Sequence, residues 1–211
     1  MSACGLPVDH LVWGGHDLSQ EIDRLEGLTG TRAIMGGRHI GEGTWNALIR
    51  IGPAMYLELL APDPSQEPPV GPRWFGLDDL TTPGLITWAA KGADLEETAA
   101  AAGRAGLELG QVRSGQRQRT DGRMLSWRST YPDLRQGDGL VPFLIDWGRS
   151  PHPAEDASGG AELVDLRAEH PEPVAISRLL RPLGIELPIS SGPSPALIAT
   201  LETPAGRVDL R

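Results

Sequence analysis

The chain has very little cysteine, very little lysine and no excess of positive charge. Cys4 is the only cysteine, so an intramolecular disulfide is impossible, and we expect no catalytic role for it near a chain terminus. Lys91 is the only lysine, which restricts any lysine-based mechanism to that residue. A formal net charge of −9 disfavours nucleic acids and anionic membranes as partners.

Long apolar runs and targeting signals are also missing from the sequence. No run approaches the ~18 residues that span a bilayer, and the first residues lack the basic and apolar regions of a signal peptide. We therefore expect a soluble, cytoplasmic protein whose partner is a small molecule.

The first part of the chain predicts a βαβββ unit over residues 1–62. A strand at 8–13 precedes a helix that Asp17 and Gln20 start as a capping box, and Gly27 is expected to end it. Three extended segments follow, and a proline-rich stretch then breaks all periodicity. We interpret residues 63–83 as a linker.

The second part of the chain repeats this order over residues 84–150. Asp94 and Glu97 predict another capping box, and Asp121 with Gly122 predicts a hairpin turn. Residues 160–211 read as a partial βαββ unit that packs on the main sheet. The predicted class is therefore α+β, with paired βαβββ modules whose strands form a curved mixed sheet around a cleft.

Two ionisable side chains lie in strands that the sequence predicts to be buried. His10 in VDHLVW and Glu58 in MYLELLAP are bracketed by apolar residues, and burying a charge is costly unless it is paired or binds a metal. Strand side chains alternate, so neighbouring strands could present both groups to one cleft. A self-satisfied, hydrogen-bonded His–Glu pair is the alternative. His39, between Gly37 and Gly41, is a third candidate because backbone approaches a ligand closely there.

The combination of motifs resembles the vicinal oxygen chelate superfamily, and within it the glyoxalase-like domain family. The motifs are DHLV at 9–12, GGRHIGEGTWN at 36–46 and YLEL at 56–59. The resemblance implies a divalent metal held by the first and last strands of the modules, which here contain His10 and Glu58. Nitrogen and carboxylate ligands suit Zn, Mn, Fe(II), Co or Ni.

The second module offers no residue that matches His10. A three-ligand set would combine His10 and Glu58 with either His39 or Asp146, although the register leaves open whether Asp146 or Ile145 faces the cleft. In such a site Glu58 would shuttle a proton next to a polarised carbonyl, with His39 as a further catalytic candidate.

Polar and aromatic residues around these groups are candidates for substrate binding. Thr44 and Asn46 can orient a substrate by hydrogen bonds, although Thr44 can equally just begin a strand. Trp74 and Phe75 follow the linker and are expected to form a lid or substrate wall, with burial under the linker as the alternative. The remaining histidines are expected at the surface: His16, His152 and His170.

Two functions are compatible with these features. The first is a metal-dependent lyase, isomerase or dioxygenase that acts on a small vicinally oxygenated molecule. The second is a metal-free protein of the same fold that binds an antibiotic or a metabolite. The resemblance is compatible with a homodimer as well as with a monomer of paired modules.

Overall fold

The computed structural model describes residues 5–131 and 135–211, so Cys4 lies outside the described residues. The first βαβββ module is confirmed and consists of β1 (Val8–Gly14), α1 (Leu18–Thr29), β2 (Ile34–His39), β3 (Thr44–Gly52) and β4 (Met55–Pro62). No helix in these ranges is both long enough and apolar enough to cross a membrane.

The second module has the same order as the first. It consists of β5 (Gly84–Lys91), α2 (Leu95–Arg104), β6 (Gln111–Arg119), β7 (Met124–Tyr131) and β8 (Phe143–Asp146). The predicted hairpin turn at Asp121 and Gly122 joins β6 to β7.

The eight strands of the two modules close into one barrel, in the order β1-β4-β3-β2-β6-β7-β8-β5. Within each module the first and last strands are parallel neighbours, and β1 pairs antiparallel with β5. The other junction is short, because β2 and β6 pair only at Gly37 with Arg119 and at Arg38 with Gln118. The expected curved sheet around a cleft is therefore confirmed, and in the structure this sheet closes completely into a barrel.

A second sheet follows the barrel. Its elements are β9 (Glu162–His170), α3 (Pro173–Leu180), β10 (Ile189–Ser191), β11 (Ala196–Thr203) and β12 (Gly206–Leu210). The strand order is β10-β9-β11-β12, so the short β10 is added to the predicted βαββ order. The sheet packs on the barrel through contacts of β9 with β3 and of β11 with β5.

Alternation along the strands separates an outer core from the barrel interior. Leu11, Leu57 and Leu59 point outward and pack in one buried cluster with Leu18 and Leu25 of α1. A separate cluster fills part of the interior, with buried members Val12, Leu60, Leu77, Ile86, Ala89, Trp127, Phe143 and Ile145. The interior is thus mostly apolar, which makes each polar group there significant.

Helix capping follows the sequence in α1 for Asp17, without the return bond from the Gln20 side chain that a capping box needs, and does not follow it in α2. The Asp17 carboxylate accepts a hydrogen bond from the backbone N–H of Gln20 at 3.0 Å, and the helix continues past Gly27 to end at Gly30. Asp94 makes no side-chain hydrogen bond to the start of α2, so the second predicted capping box is wrong.

This difference gives a matched pair of variants. Asp17→Ala should lower the free energy of unfolding by about 1 kcal/mol, because it leaves a helix N–H without its acceptor. Asp94→Ala should change it by less than about 0.5 kcal/mol, the range of ordinary surface substitutions. Urea unfolding followed by circular dichroism checks both values, and equal losses would contradict the capping assignment.

Candidate functional site

The barrel interior contains a carboxylate between two imidazoles. Because β1 and β4 are parallel neighbours with Val12 opposite Glu58, both His10 and Glu58 face inward, and both are almost fully buried. Nε2 of His10 lies 3.7 Å from Oε2 of Glu58, and Nε2 of His39 lies 4.0 Å from Oε1. The structure therefore brings three of the predicted site residues together.

Asn46 and Thr44 hold these groups in place. The Asn46 amide donates a hydrogen bond to Oε1 of Glu58 at 2.5 Å, and Nδ1 of His39 is hydrogen-bonded to the Thr44 hydroxyl at 2.9 Å. Thr44 is fully buried. Their contacts are therefore with the carboxylate and an imidazole, so the structure gives them a positioning role.

A buried arginine from the second module completes this chain of hydrogen bonds. Nη1 of Arg117 on β6 donates to Oδ1 of Asn46 at 2.8 Å, and burial lowers the pKa of the guanidinium. A Cβ at Gly36 would overlap both Nη1 of Arg117 and Oδ1 of Asn46, and one at Gly37 would overlap the carbonyl oxygen of Gln118. The glycine pair before His39 therefore makes room for Arg117.

Asp9 orients His10 from the other side. Its Oδ1 lies 2.7 Å from Nδ1 of His10, and Asp9 is also hydrogen-bonded to Nε2 of His152 at 3.1 Å and to Nε1 of Trp147 at 3.2 Å. Burial raises the pKa of Asp9, but the hydrogen bonds from His10 and His152 outweigh it and hold this pKa well below its usual range. Asp9 is thus a buried anion.

The predicted surface location of two histidines is wrong. His152 is half-buried and bonded to Asp9, and His170 is buried and bonded to Asp138, while His16 is exposed as expected. Backbone N–H groups fix the orientation of both rings. The N–H of Ala154 donates to Nδ1 of His152, and the N–H of Glu172 donates to Nδ1 of His170.

Aromatic side chains wall the cavity next to Glu58. Both tyrosines, both phenylalanines and three of the six tryptophans line it, together with His10, Glu58, Ser129, Thr130 and Ile145. The cavity has a volume of about 30 Å³ open to the centres of water molecules. A single water needs about 10–15 Å³ on that measure, so the cavity as it stands holds only one or two.

Trp74 and Phe75, the predicted lid or substrate wall, both line this cavity. The Trp74 ring lies 4.9 Å from the His39 ring, and the Phe75 ring stacks on Phe143 at 5.1 Å and 25°. Phe75 has φ 59°, a left-handed conformation that is costly for a residue with a Cβ. Packing against Phe143 and Trp74 holds it there.

Known proteins share both sequence motifs and fold with this chain. The sequence matches the glyoxalase-like domain family over residues 8–184. The chain belongs to the glyoxalase-like domain family. This confirms the resemblance drawn from the DHLV, GGRHIGEGTWN and YLEL motifs. None of the curated proteins matches the sequence.

Solved structures are similar to this glyoxalase-like protein. A hypothetical protein from Staphylococcus aureus has 15% identity and a TM-score of 0.65, over 97% of this chain and 85% of that one. Methylmalonyl-CoA epimerase from Mycobacterium tuberculosis has 20% identity and a TM-score of 0.44, over 69% of this chain and 90% of that one. The first likeness supports the fold alone.

The metal expected for a glyoxalase-like protein would find its donors in the first module alone. Within residues 5–131 and 135–211, no group of three or more His, Cys, Asp or Glu side chains is already arranged around one metal position. Of the two candidates for a third ligand, His39 is near, with Nε2 4.0 Å from Oε1 of Glu58. Ile145 lines the cavity, whereas Asp146 lies on other cavities and accepts a hydrogen bond from the Gly148 N–H. His10 and Glu58 therefore face each other without a ligand from the second module.

The close approach at Gly36 predicts a coupled pair of substitutions. Gly36→Ala should destabilise the glyoxalase-like domain by about 1–3 kcal/mol, because the added methyl group must displace Arg117 and Asn46. The cost should be smaller in an Arg117→Met background, where the long side chain has no fixed guanidinium; a double-mutant cycle of urea unfolding measures this. Gly27→Ala is the control, because nothing lies within 4 Å of its Cβ position.

The buried His39 predicts a specific pH dependence of stability. Burial lowers the pKa of His39 from 6.5 to about 4, so below pH 6.5 the unfolded chain takes up the proton first. The free energy of unfolding should therefore fall by up to about 3 kcal/mol between pH 6.5 and 4. His39→Asn, which can keep a bond to Thr44, should remove this part of the slope, and His16→Asn should not.

Proposed function

We propose that this glyoxalase-like protein is an isomerase or lyase that moves protons on a small molecule with oxygen on two adjacent carbons. The observation that carries the proposal is the buried pair of His10 Nε2 and Glu58 Oε2, 3.7 Å apart beside the cavity. Buried acid–base groups that face a cavity are typical of active sites. The family implies metal-assisted chemistry, but the second module adds no ligand to those of the first, and the proposed reaction uses the side chains alone.

In this reaction Glu58 transfers the proton at carbon and His10 transfers the proton at oxygen. Oε2 of Glu58 takes the proton from the carbon that carries the hydroxyl, while Nε2 of His10 takes the hydroxyl proton and returns it to the neighbouring carbonyl oxygen. Glu58 then returns its proton to the second carbon. The hydroxyl and carbonyl groups have exchanged places, and no proton or electron is gained or lost.

The hydrogen bonds around the pair suit this division. Asn46 occupies Oε1 of Glu58 and leaves Oε2 facing His10, while Asp9 occupies Nδ1 of His10 and leaves Nε2 facing Glu58. Each reacting atom is therefore held in a fixed direction before substrate arrives, which reduces the entropic cost of the reaction. The aromatic walls, with Trp74 and Phe75, leave room for only one or two water molecules at the site.

Deuterium exchange tests this proposal without knowledge of the natural substrate. The protein is incubated in D₂O with hydroxyacetone, dihydroxyacetone and 2-hydroxyacetophenone, and the C–H signal beside each carbonyl is followed by proton NMR. We expect catalysed loss of this signal for at least one compound. Glu58→Gln should lower the rate by at least about 100-fold, the lower range for general acid–base catalysis.

The control for this experiment is Glu186→Gln, which changes an exposed carboxylate in the same way. Equal exchange rates for Glu58→Gln and the unmodified protein would reject the acid–base role. The second candidate function is a binding protein of the same fold. The aromatic lining of the cavity favours this function, because an apolar, largely enclosed cavity can retain a ligand. Saturable quenching of tryptophan fluorescence without exchange on any compound would support that candidate instead.

A further inference from the structure

The tautomer of His10 follows from the partners of Asp9. The Asp9 carboxylate accepts hydrogen bonds from Trp147 and His152, so the 2.7 Å contact with Nδ1 of His10 places a proton on Nδ1. Nε2 makes no hydrogen bond to Glu58, because 3.7 Å exceeds the length of an N–H···O bond. In this tautomer Nε2 turns a lone pair toward the cavity and Glu58.

His152 holds Asp9 in the orientation that this requires. The backbone N–H of Ala154 donates to Nδ1 of His152 at 3.2 Å, so its proton is on Nε2 and is donated to Oδ2 of Asp9. Ala154 is itself fully buried against Leu48 and Tyr56. The segment after β8 thus fixes His10 from outside the barrel strands.

Two hydrogen-bond acceptors consequently face each other across the site. Nε2 of His10 and Oε2 of Glu58 are 3.7 Å apart, and a buried acceptor that has no hydrogen-bond donor destabilises the protein. Oε1 of Glu58 already has Asn46 as its donor. A molecule that fits must bring a hydrogen-bond donor to this gap.

The rest of the cavity sets the shape and charge of that molecule. Seven aromatic side chains line it, and no arginine or lysine of the described residues is among the lining side chains. An anion would meet Glu58 with no cation in contact with it, because Arg117 lies behind Asn46 and does not line the cavity, whereas a flat ring matches the aromatic walls. Phe75 already places one such ring against Phe143, at 5.1 Å and 25°.

We propose that the cavity takes an uncharged molecule with a flat aromatic ring and a hydroxyl group. The ring takes the place of the Phe75 side chain against Phe143, and the hydroxyl proton lies between Nε2 of His10 and Oε2 of Glu58. The inference rests on the proposed function in placing the substrate at Glu58. It narrows the substrates to aryl-substituted hydroxy carbonyl compounds.

Benzyl alcohol is a suitable probe because it has the ring and the hydroxyl but no carbonyl to react. Its binding is followed by tryptophan fluorescence and by the ¹⁵N signals of the His10 ring. We expect saturable quenching and a shift of the Nε2 signal. Benzyl methyl ether, which lacks the donor, should bind about tenfold more weakly. Cyclohexylmethanol should bind about fivefold more weakly, and benzoate should not saturate.

Two pairs of variants separate the donor requirement from general packing. Glu58→Gln places an amide donor opposite His10 and should abolish the advantage of the alcohol over the ether, whereas Glu186→Gln should keep it. His152→Ala frees Asp9 and should weaken benzyl alcohol binding about tenfold. The control is His170→Ala, which removes a histidine with the same kinds of hydrogen bond, to a carboxylate and from a backbone N–H, that does not line the cavity.

Other results would overturn the inference. Equal affinity for the alcohol and its ether, saturable binding of benzoate, or a Zn²⁺-induced shift of the Nε2 signal that blocks benzyl alcohol would each do so. If benzyl alcohol binds as expected but no hydroxy ketone exchanges deuterium, the proton-transfer proposal fails and the ligand class stands. Exchange with hydroxyacetone but no benzyl alcohol binding would reject the ligand class and leave proton transfer standing.

Discussion

The Glu58 carboxylate is buried inside a closed barrel, and the arrangement of the surrounding residues depends on this burial. A buried carboxylate is stable only with hydrogen-bond donors or cations nearby, and Asn46 supplies the nearest donor. Asn46 is oriented in turn by Arg117, which reaches it only because Gly36 and Gly37 have no side chains. Since Arg117 belongs to β6, the short junction of β2 with β6 both closes the barrel and completes the environment of the carboxylate.

The two modules share a fold but contribute differently to the site. The first module supplies the titratable groups, namely His10, Glu58 and His39. The second supplies apolar cavity walls, because its inward positions hold side chains such as Trp127, Phe143 and Ile145. The cavity therefore has its carboxylate and imidazole on one side and aromatic side chains on the other.

The sequence predicts much of this arrangement because alternation and burial are local properties. His10 and Glu58 could be assigned to inward positions from the apolar residues that flank them, and their strands are neighbours as the module order requires. The choice between Ile145 and Asp146 depended on a register of one residue, which local pattern does not fix.

The sequence alone does not predict the roles of Asp9, His152 and Arg117 at the site. The register of β1 against β5 shifts between Val8 and His10, so Asp9 meets its neighbour's ring where regular alternation would separate them. His152 lies 143 positions from Asp9 in the chain. Arg117 stands in a strand of mostly exposed polar residues, and nothing in that pattern marks it as the one that turns inward.

The Trp74–Phe75 segment connects the aromatic walls of the cavity with the energetics of the proposed binding. Phe75 adopts a left-handed backbone conformation that costs on the order of 1–2 kcal/mol, and its ring is retained by stacking on Phe143. In the proposed binding mode the ligand displaces this ring, so its measured affinity is the intrinsic affinity reduced by the fraction of molecules in which Phe75 has moved away. A ligand with an aromatic ring restores the lost stacking, whereas an aliphatic one does not. The proposed mode therefore favours flat ligands independently of any hydrogen bond to His10 or Glu58.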